Sequence, residues 1–322
     1  MILKTARLIE TLFLPIALAL SAAALAWPSY IVWLKPHIPL ALGVIMFGMG
    51  LTLTMRDFTR VLANWKLILL GIVLQYAIMP VLAAALGQAF NLPAQAALGL
   101  VIVGACPGGT ASNVIAYLAR ANVALSVTLT LASTMLAPIL TPAIVYAIFN
   151  QRISIDAYAM AASVFWIVVF PLMDGLILRR LFQKRLTPFI QAFPSVSILT
   201  ISLVIACVVA LNRQNILDFP GLVIAAVICH NLGGFGLGYL FARFFTRSRK
   251  DAITLSIEVG MQNSGLGVAL ANAFFTPLAA LPGAIFSLEQ NLAGICLAKF
   301  WSAKEKNRPP EPENLTYPSS SR

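Results

Sequence analysis

Charge is what this sequence has least of. Ten per cent of its 322 residues are Asp, Glu, Lys or Arg, against sixty per cent hydrophobic. So few charges cannot cover the apolar surface that a soluble domain of this composition would present, which places the chain among integral membrane proteins. Histidine occurs twice and cysteine four times. Cys106, Cys207, Cys229 and Cys296 all fall inside apolar runs without CxxC or Cys/His spacing. Buried free thiols are therefore expected, not metal ligands or disulfides. The sequence has no HExxH pair, no GxSxG elbow and no second intramembrane aspartate to form a dyad with Asp174. An intramembrane protease or lipid transferase is thus only a remote alternative. The first apolar run is not followed by a small-residue cleavage site, so it reads as a retained helix.

A spanning helix needs about 20 mostly apolar residues. Ten segments qualify, at about 9–27, 38–54, 67–87, 94–118, 123–149, 157–178, 193–211, 220–242, 251–274 and 281–301. The net charge of +11 carries no nucleic-acid signal, because the basic residues sit between these segments and not along one face. They report topology instead. With ten spans and the N-terminus in the cytoplasm, only Lys35, Arg152 and Arg213 of the 22 basic residues fall outside, so both termini are expected to be cytoplasmic in the cell's inner (plasma) membrane. The tail from Lys304 to Arg322 is polar and Pro/Ser-rich, and reads as a disordered cytoplasmic segment after a transmembrane domain of residues 1–303.

Five spans precede residue 150 and five follow residue 155, and five is odd, so the second half enters from the opposite side as an inverted repeat. In each half the fourth span is interrupted. Pro107, Gly108 and Gly109 are expected to break the first, and Gly260 and Gly265 the second. Breaks at corresponding positions of two halves point to a transporter's binding site.

Four acidic residues lie inside spans: Glu10, Asp174, Glu258 and Glu289. Glu10 is one turn from Arg7, and Asp174 is close to Arg179 and Arg180, so both can reach the interface or a basic partner. Glu258 has no basic neighbour in sequence, and an ionised carboxylate at membrane depth costs a few kcal/mol, so a proton or a cation must neutralise it. Where its helix breaks, the carbonyls of Glu258, Val259 and Met261 lose helical partners and can coordinate a hard ion. Gln262 and Gln75 add amide oxygens. Ser112 and Asn113 follow the first break, and Ser126 and Thr130 lie at i, i+4 on the next span. Such oxygen donors suit Na⁺, and no His/Cys cluster offers a transition metal a home. The half-helices restarting at Thr110-Ala111-Ser112 and Asn263-Ser264-Gly265 present free N–H groups to an organic anion such as a carboxylate or sulfonate.

At these residues the chain resembles the bile acid:sodium symporter family, particularly its bacterial ten-helix members related to the apical sodium-dependent bile acid transporter. The strings Ile257-Glu-Val-Gly-Met-Gln-Asn-Ser-Gly-Leu266 and Gly108-Gly-Thr-Ala-Ser-Asn113 carry the likeness. It extends through Ile78-Met-Pro80, Thr141-Pro142, His230-Asn231 and Leu281-Pro-Gly-Ala-Ile-Phe-Ser287. The resemblance implies an all-α polytopic protein of ten helices in two inverted five-helix repeats. Spans 1, 2, 6 and 7 would form a panel, and spans 3–5 and 8–10 a core in which broken spans 4 and 9 cross. It implies symport by alternating access with two Na⁺ ions. One would be held by Ser112, Asn113, Ser126, Thr130 and Glu258, the other by Gln75, Glu258, Val259, Met261 and Gln262. The small organic anion would touch Thr110, Ala111, Asn263, Ser264, Gln290 and Asn291. A monomer in the lipid bilayer, with no nucleic-acid partner, is expected. Proton coupling or efflux is the alternative within transport. Where the family pattern has an aromatic and a histidine, this chain has Glu289-Gln290. A second carboxylate near the substrate cavity could reject bulky anions, bind a cationic group or hold a proton.

Overall fold

A computed structural model describes residues 13–150, 153–182, 187–214 and 220–306. Glu10, Arg152 and the tail beyond Lys306 lie outside the described residues. The architecture is all-α. Helix α1 (Phe13–Ala26) leads through two tight turns to α2 (Ile38–Thr52). A short helix α3 (Met55–Ala63) precedes the long α4 (Trp65–Ala89). The half-helices α5 (Ala94–Gly104) and α6 (Ser112–Leu118) follow, and α7 (Val123–Phe149) closes the first half. The second half repeats the order with α8 (Ala157–Phe182), α9 (Thr187–Leu211) and α10 (Pro220–Phe245). Half-helices α11 (Arg249–Gly260) and α12 (Ser264–Phe274) come next, and α13 (Pro277–Lys306) ends the chain's described part.

Among the described residues, five segments are individually long and apolar enough to cross a bilayer: Pro28–Thr52, Trp65–Ala89, Val123–Phe149, Ala157–Phe182 and Gly221–Phe245. Two spans fall short because each is split. The eleven residues of α5 rise only about 16 Å, roughly half of a ~30 Å hydrocarbon core, which puts its end near mid-depth.

Local chemistry sets the ends of these helices. Asn122 caps α7 by accepting the Leu125 N–H at 3.1 Å, Asp156 caps α8 through the Ala159 N–H at 2.9 Å, and Ser248 caps α11 through the Asp251 N–H at 3.2 Å. Helix α3 was not foreseen from hydropathy, because nine residues of mixed polarity cannot span a membrane. It is held by a reciprocal cap in which Thr54 N–H donates to Asp57 at 2.7 Å, and it packs on α7. The helical end of α13 also runs on to Lys306, past the expected start of the tail.

Helices α1, α2, α8 and α9 pack chiefly on one another, while α4, α5, α7, α10, α11, α12 and α13 form a second network around the breaks. Small residues permit the closest approaches. A Cβ on Gly104 would lie 2.8 Å from the Met79 carbonyl oxygen, so only glycine lets α5 settle against α4. Two cysteines depart from expectation: Cys106 and Cys207 are buried, but Cys229 and Cys296 are exposed on the bundle's outer surface. An apolar thiol is as compatible with lipid tails as with protein, so hydropathy cannot separate the two. Asp174 is likewise exposed, and Arg179 reaches the carbonyls of Leu51 and Thr52 instead of pairing with it.

Candidate functional site

The two breaks meet each other. Gly109 N–H donates to the Met261 carbonyl at 2.9 Å and Asn263 N–H donates to the Pro107 carbonyl at 2.8 Å. Gly108 and Gln262 thereby form a single antiparallel bridge, the backbone pairing of a sheet reduced to one rung. Backbone that has left the helix at membrane depth must find partners inside the protein. Here the remaining groups are taken by side chains from neighbouring helices. Gln75 Nε2 donates to the Cys106 carbonyl at 2.9 Å and Thr141 Oγ1 to the Ala105 carbonyl at 2.7 Å. Ser133 Oγ accepts the Gly108 N–H at 3.2 Å. On the other break, Asn231 Nδ2 donates to the Gly260 carbonyl at 2.8 Å, and Gln290 Oε1 accepts the Gln262 N–H at 2.8 Å.

The positions of the glycines need one correction. Gly260 and Gly265 do not unwind the second span; they end α11 and begin α12, and the break is Met261, Gln262 and Asn263. Gly260 is required by packing, since a Cβ there would strike the ring of Phe235. At Gly265 it would sit 3.2 Å from Ile201 and 3.3 Å from Leu42. The first break does run through Pro107, Gly108 and Gly109, between the end of α5 and the start of α6.

Glu258 lies in the last turn of α11 beside this crossing and is 4% exposed. Its carboxylate accepts from Ser112 Oγ at 2.5 Å, from Ser126 Oγ, and from Thr130 Oγ1 at 2.9 Å. All three hydroxyls come from the first half of the chain and the carboxylate from the second. Asn113 joins through its Oδ1, 2.9 Å from Ser126 Oγ. The protons do not go round. Three hydroxyl hydrogens face both carboxylate oxygens, the Asn113 amide oxygen and the Ser126 carbonyl, which Thr130 Oγ1 also approaches at 3.1 Å. A hydroxyl donates once, so lone pairs outnumber donors in this buried cluster. That imbalance is what an oxygen-coordinated cation would correct.

A second group of oxygens gathers around Gln262. Gln75 Nε2 donates to Gln262 Oε1 at 2.6 Å, and Gln262 Nε2 donates to the Val259 carbonyl at 2.7 Å. The Gln75 amide oxygen is buried with no hydrogen-bond partner among the described residues, and so is that of Asn231. Buried acceptors are seldom left alone, and each such atom asks for an explanation. The Met261 carbonyl, by contrast, is already occupied by Gly109.

Near the crossing, Asn263 is buried and caps α12 by accepting the Leu266 N–H at 3.1 Å, while Thr110 and Ala111 are half-buried just before α6. Ser264 Oγ bonds Ser287 Oγ at 2.6 Å and accepts from Gln290 Nε2 at 3.1 Å. Gln290 therefore uses both ends of its amide to hold the break in shape. Asn291 is half-buried, donating to the Ser287 carbonyl at 2.7 Å. Residues two apart on a helix point about 200° away from each other. Glu289 accordingly does not face the side of α13 that carries Asn291. It shares a stripe with Ala293 and the exposed Cys296, with one carboxyl oxygen buried and without a partner among the described residues.

Sequence reasoning did not assign Ser133, Thr141 or Asn231 a task, although each is a polar residue inside an apolar helix. The signal was present: helix breaks of seven and three residues leave carbonyls and N–H groups that must be matched by side chains one helix away.

Comparison with known proteins places the chain in a family. Residues 39–219 match the sequence model of the sodium bile acid symporter family. An uncharacterized sodium-dependent transporter of Bacillus subtilis (strain 168) is 42% identical over 283 residues, covering 88% of each chain. A probable chloroplastic sodium/metabolite cotransporter of Arabidopsis thaliana is 38% identical over 276 residues, 85% of this chain and 69% of that one. A rice (Oryza sativa subsp. japonica) protein described in the same terms is 35% identical over 300 residues, 92% of this chain and 72% of its own. With an all-α membrane fold, two broken helices joined at one bridge and these relatives, the chain belongs to the sodium bile acid symporter family, a family of transporters and not of enzymes.

Proposed function

We infer that this protein moves a small organic anion across the plasma membrane together with Na⁺, by alternating access. The observation that carries the reading is the Glu258 carboxylate, buried at membrane depth against three hydroxyls and, among the described residues, paired with no basic side chain. One Na⁺ would be held by Glu258, Ser112, Asn113, Ser126 and Thr130. A second would use Glu258 with Gln75, Gln262 and the carbonyls of Val259 and Met261, a reading supported by the orphaned Gln75 oxygen. Both ions would sit behind the bridge. Their binding would draw the two halves together there and so favour the state that accepts substrate, through differential affinity for the two states.

The anion would lie in front of the bridge, near Thr110, Ala111, Asn263 and Asn291, where backbone N–H groups begin α6 and α12. Helices α1, α2, α8 and α9 would act as a panel, and the remaining long and broken helices as a core that moves against it. The separation of the packing into these two networks supports that division. Charge counting gives a further expectation. Two Na⁺ offset Glu258 and one monoanion, so a cycle in which Glu258 stays ionised moves one net positive charge and responds to membrane potential. Uptake of a monoanion that ignores the potential would argue against two ions.

The direct test needs no substrate. Thermal stability of the purified protein is compared in NaCl and KCl at equal ionic strength, alongside Glu258→Gln. A ligand bound only by the folded state adds RT ln(1 + [L]/Kd), about 2.7 kcal/mol at a hundredfold excess. Stabilisation by Na⁺ in the wild type and none in the variant is the expected result. Equal stability in both salts for the wild type would refute sodium coupling and turn attention to protons.

A further inference from the structure

The second break is held by α13 as well as by the first break. Gln290 of α13 is buried, so each end of its amide needs a partner inside the protein. Its Oε1 accepts the Gln262 N–H at 2.8 Å and its Nε2 donates to Ser264 Oγ at 3.1 Å. Turning the amide over would set Nε2 against the Gln262 N–H, donor against donor, so this orientation is forced. The hydroxyls beyond it then follow in order. Ser264 Oγ, having accepted from Gln290, gives its own proton to Ser287 Oγ at 2.6 Å, and Ser287 donates to the Gly283 carbonyl at 3.1 Å. Every hydrogen in this row points the same way, from the Gln262 amide out to Gly283.

The Gln262 N–H shares a rigid plane with the Met261 carbonyl, and in a trans peptide the two point in opposite directions. That carbonyl accepts from the Gly109 N–H across the bridge at 2.9 Å. Met261 is extended, at φ −102° and ψ 114°, so α11 has ended and no longer supplies partners for this plane. The plane is pinned at both edges, by the first break through its oxygen and by α13 through its hydrogen. A carbonyl oxygen has two lone pairs, and Gly109 uses one. We propose that Gln290 is a positioning residue for the second Na⁺: without touching the ion, it fixes the tilt of the Met261–Gln262 peptide and so aims the remaining lone pair of the Met261 carbonyl. This rests on the sodium reading above. An apolar side chain of the same length would leave the buried N–H unpaired, and the plane would turn toward another acceptor, taking the carbonyl with it. The hydroxyls around Glu258 come from α6 and α7 and do not run through this plane, so the effect is confined to one ion.

The experiment follows the thermal stability of the purified full chain against Na⁺ concentration, with KCl holding the ionic strength constant. The slope against the logarithm of Na⁺ concentration counts the ions bound, and two are expected for the wild type. Gln290→Met keeps the bulk and removes both polar ends. It should raise the sodium midpoint about tenfold or more, the effect of one contact to a charged group, and lower the slope toward one ion. Ser287→Ala is the control for mere loosening. It cuts the hydroxyl row beyond Ser264 and should lower stability in KCl, yet leave the sodium midpoint within about twofold of wild type. Gln290→Asn withdraws the amide by one methylene and serves if the methionine variant yields no folded protein; its midpoint should rise at least about threefold. A midpoint within about twofold of wild type in either Gln290 variant would overturn the proposal. So would equal shifts in Gln290→Met and Ser287→Ala. A wild type that ignores Na⁺, or binds a single ion, would instead refute the two-ion reading itself and the proposal with it.

Discussion

Replacing Gly108 by alanine would place a methyl carbon 2.7 Å from Glu258 Oε2, closer than real Cβ atoms come to an oxygen. The next contact, Ser133 Oγ at 3.6 Å, is unstrained, so the carboxylate is what must give. Oε2 is the oxygen that accepts from Thr130 at 2.9 Å. A hydrogen bond to a charged group is worth about 1.5–3 kcal/mol, and about 1.4 kcal/mol is a factor of ten, so displacing it should weaken Na⁺ roughly 10- to 150-fold. The protein itself should survive, because a side chain can turn aside. Gly109 gives the contrast. A Cβ there would lie 2.5 Å from the carbonyl oxygen of Gln262 and 3.0 Å from its carbon, both backbone. The two backbone hydrogen bonds of the bridge would have to part, and leaving a buried group unpaired costs about 1–3 kcal/mol each, against a typical total stability of 5–15 kcal/mol. The assay is a sodium titration of thermal stability on both variants. Gly108→Ala is expected to fold and need far more Na⁺; Gly109→Ala is expected to yield little folded protein. A Gly108→Ala variant whose sodium midpoint stays within about twofold of wild type would refute the proposed role of the Glu258 carboxylate in holding the ion.

Three further outcomes follow from the same geometry. Gln290→Leu removes the acceptor for the Gln262 N–H, so stability measured in KCl should fall by about 1–3 kcal/mol even though no sodium ligand has changed. Glu289→Gln, on the face of α13 away from Asn291, should leave the sodium titration of thermal stability unmoved; a shift beyond about threefold would place Glu289 in the coupling network after all. In folded protein, a lipid-soluble maleimide should label Cys229 and Cys296 and spare Cys106, read by mass spectrometry of peptides, with Cys106 labelled only after denaturation.

Hydropathy alone located the spans, because ten apolar runs separated by basic residues leave few other arrangements. The breaks were legible for a different reason: Pro-Gly-Gly in one span and Gln-Asn-Ser in the other are residues a membrane helix has no use for. Glu258 was legible because no neighbour in sequence could neutralise it. What could not be read was the pairing. Nothing in Ser133, Thr141, Asn231 or Gln290 says which carbonyl or N–H each will reach, since that depends on how helices far apart in sequence are brought side by side. Gly260 and Gly265 misled for a related cause. A glycine beside a polar run suggests unwinding, yet both sit in helical turns and serve the close approach of Phe235 on one side and Ile201 with Leu42 on the other. Glu289 shows the same limit at single-residue scale, where one step along α13 separates the side that supports the break from the stripe that carries Ala293 and Cys296.

The bridge between Gly109 and Met261 and between Asn263 and Pro107 also bears on how the chain is made. The ribosome delivers the first break long before the second. Until residues near 260 arrive, the hydroxyls of Ser112, Ser126 and Thr130 have no carboxylate, and Pro107 has no amide to accept. The first half therefore waits in the membrane as an unfinished object, its polar gap open to whatever water it can draw in. Neither half expressed alone should be recoverable in folded form, whereas the two produced together as separate chains should find each other and restore a sodium response. The proposed ion site would thus be completed last, and a sodium response would report that the whole molecule has been assembled.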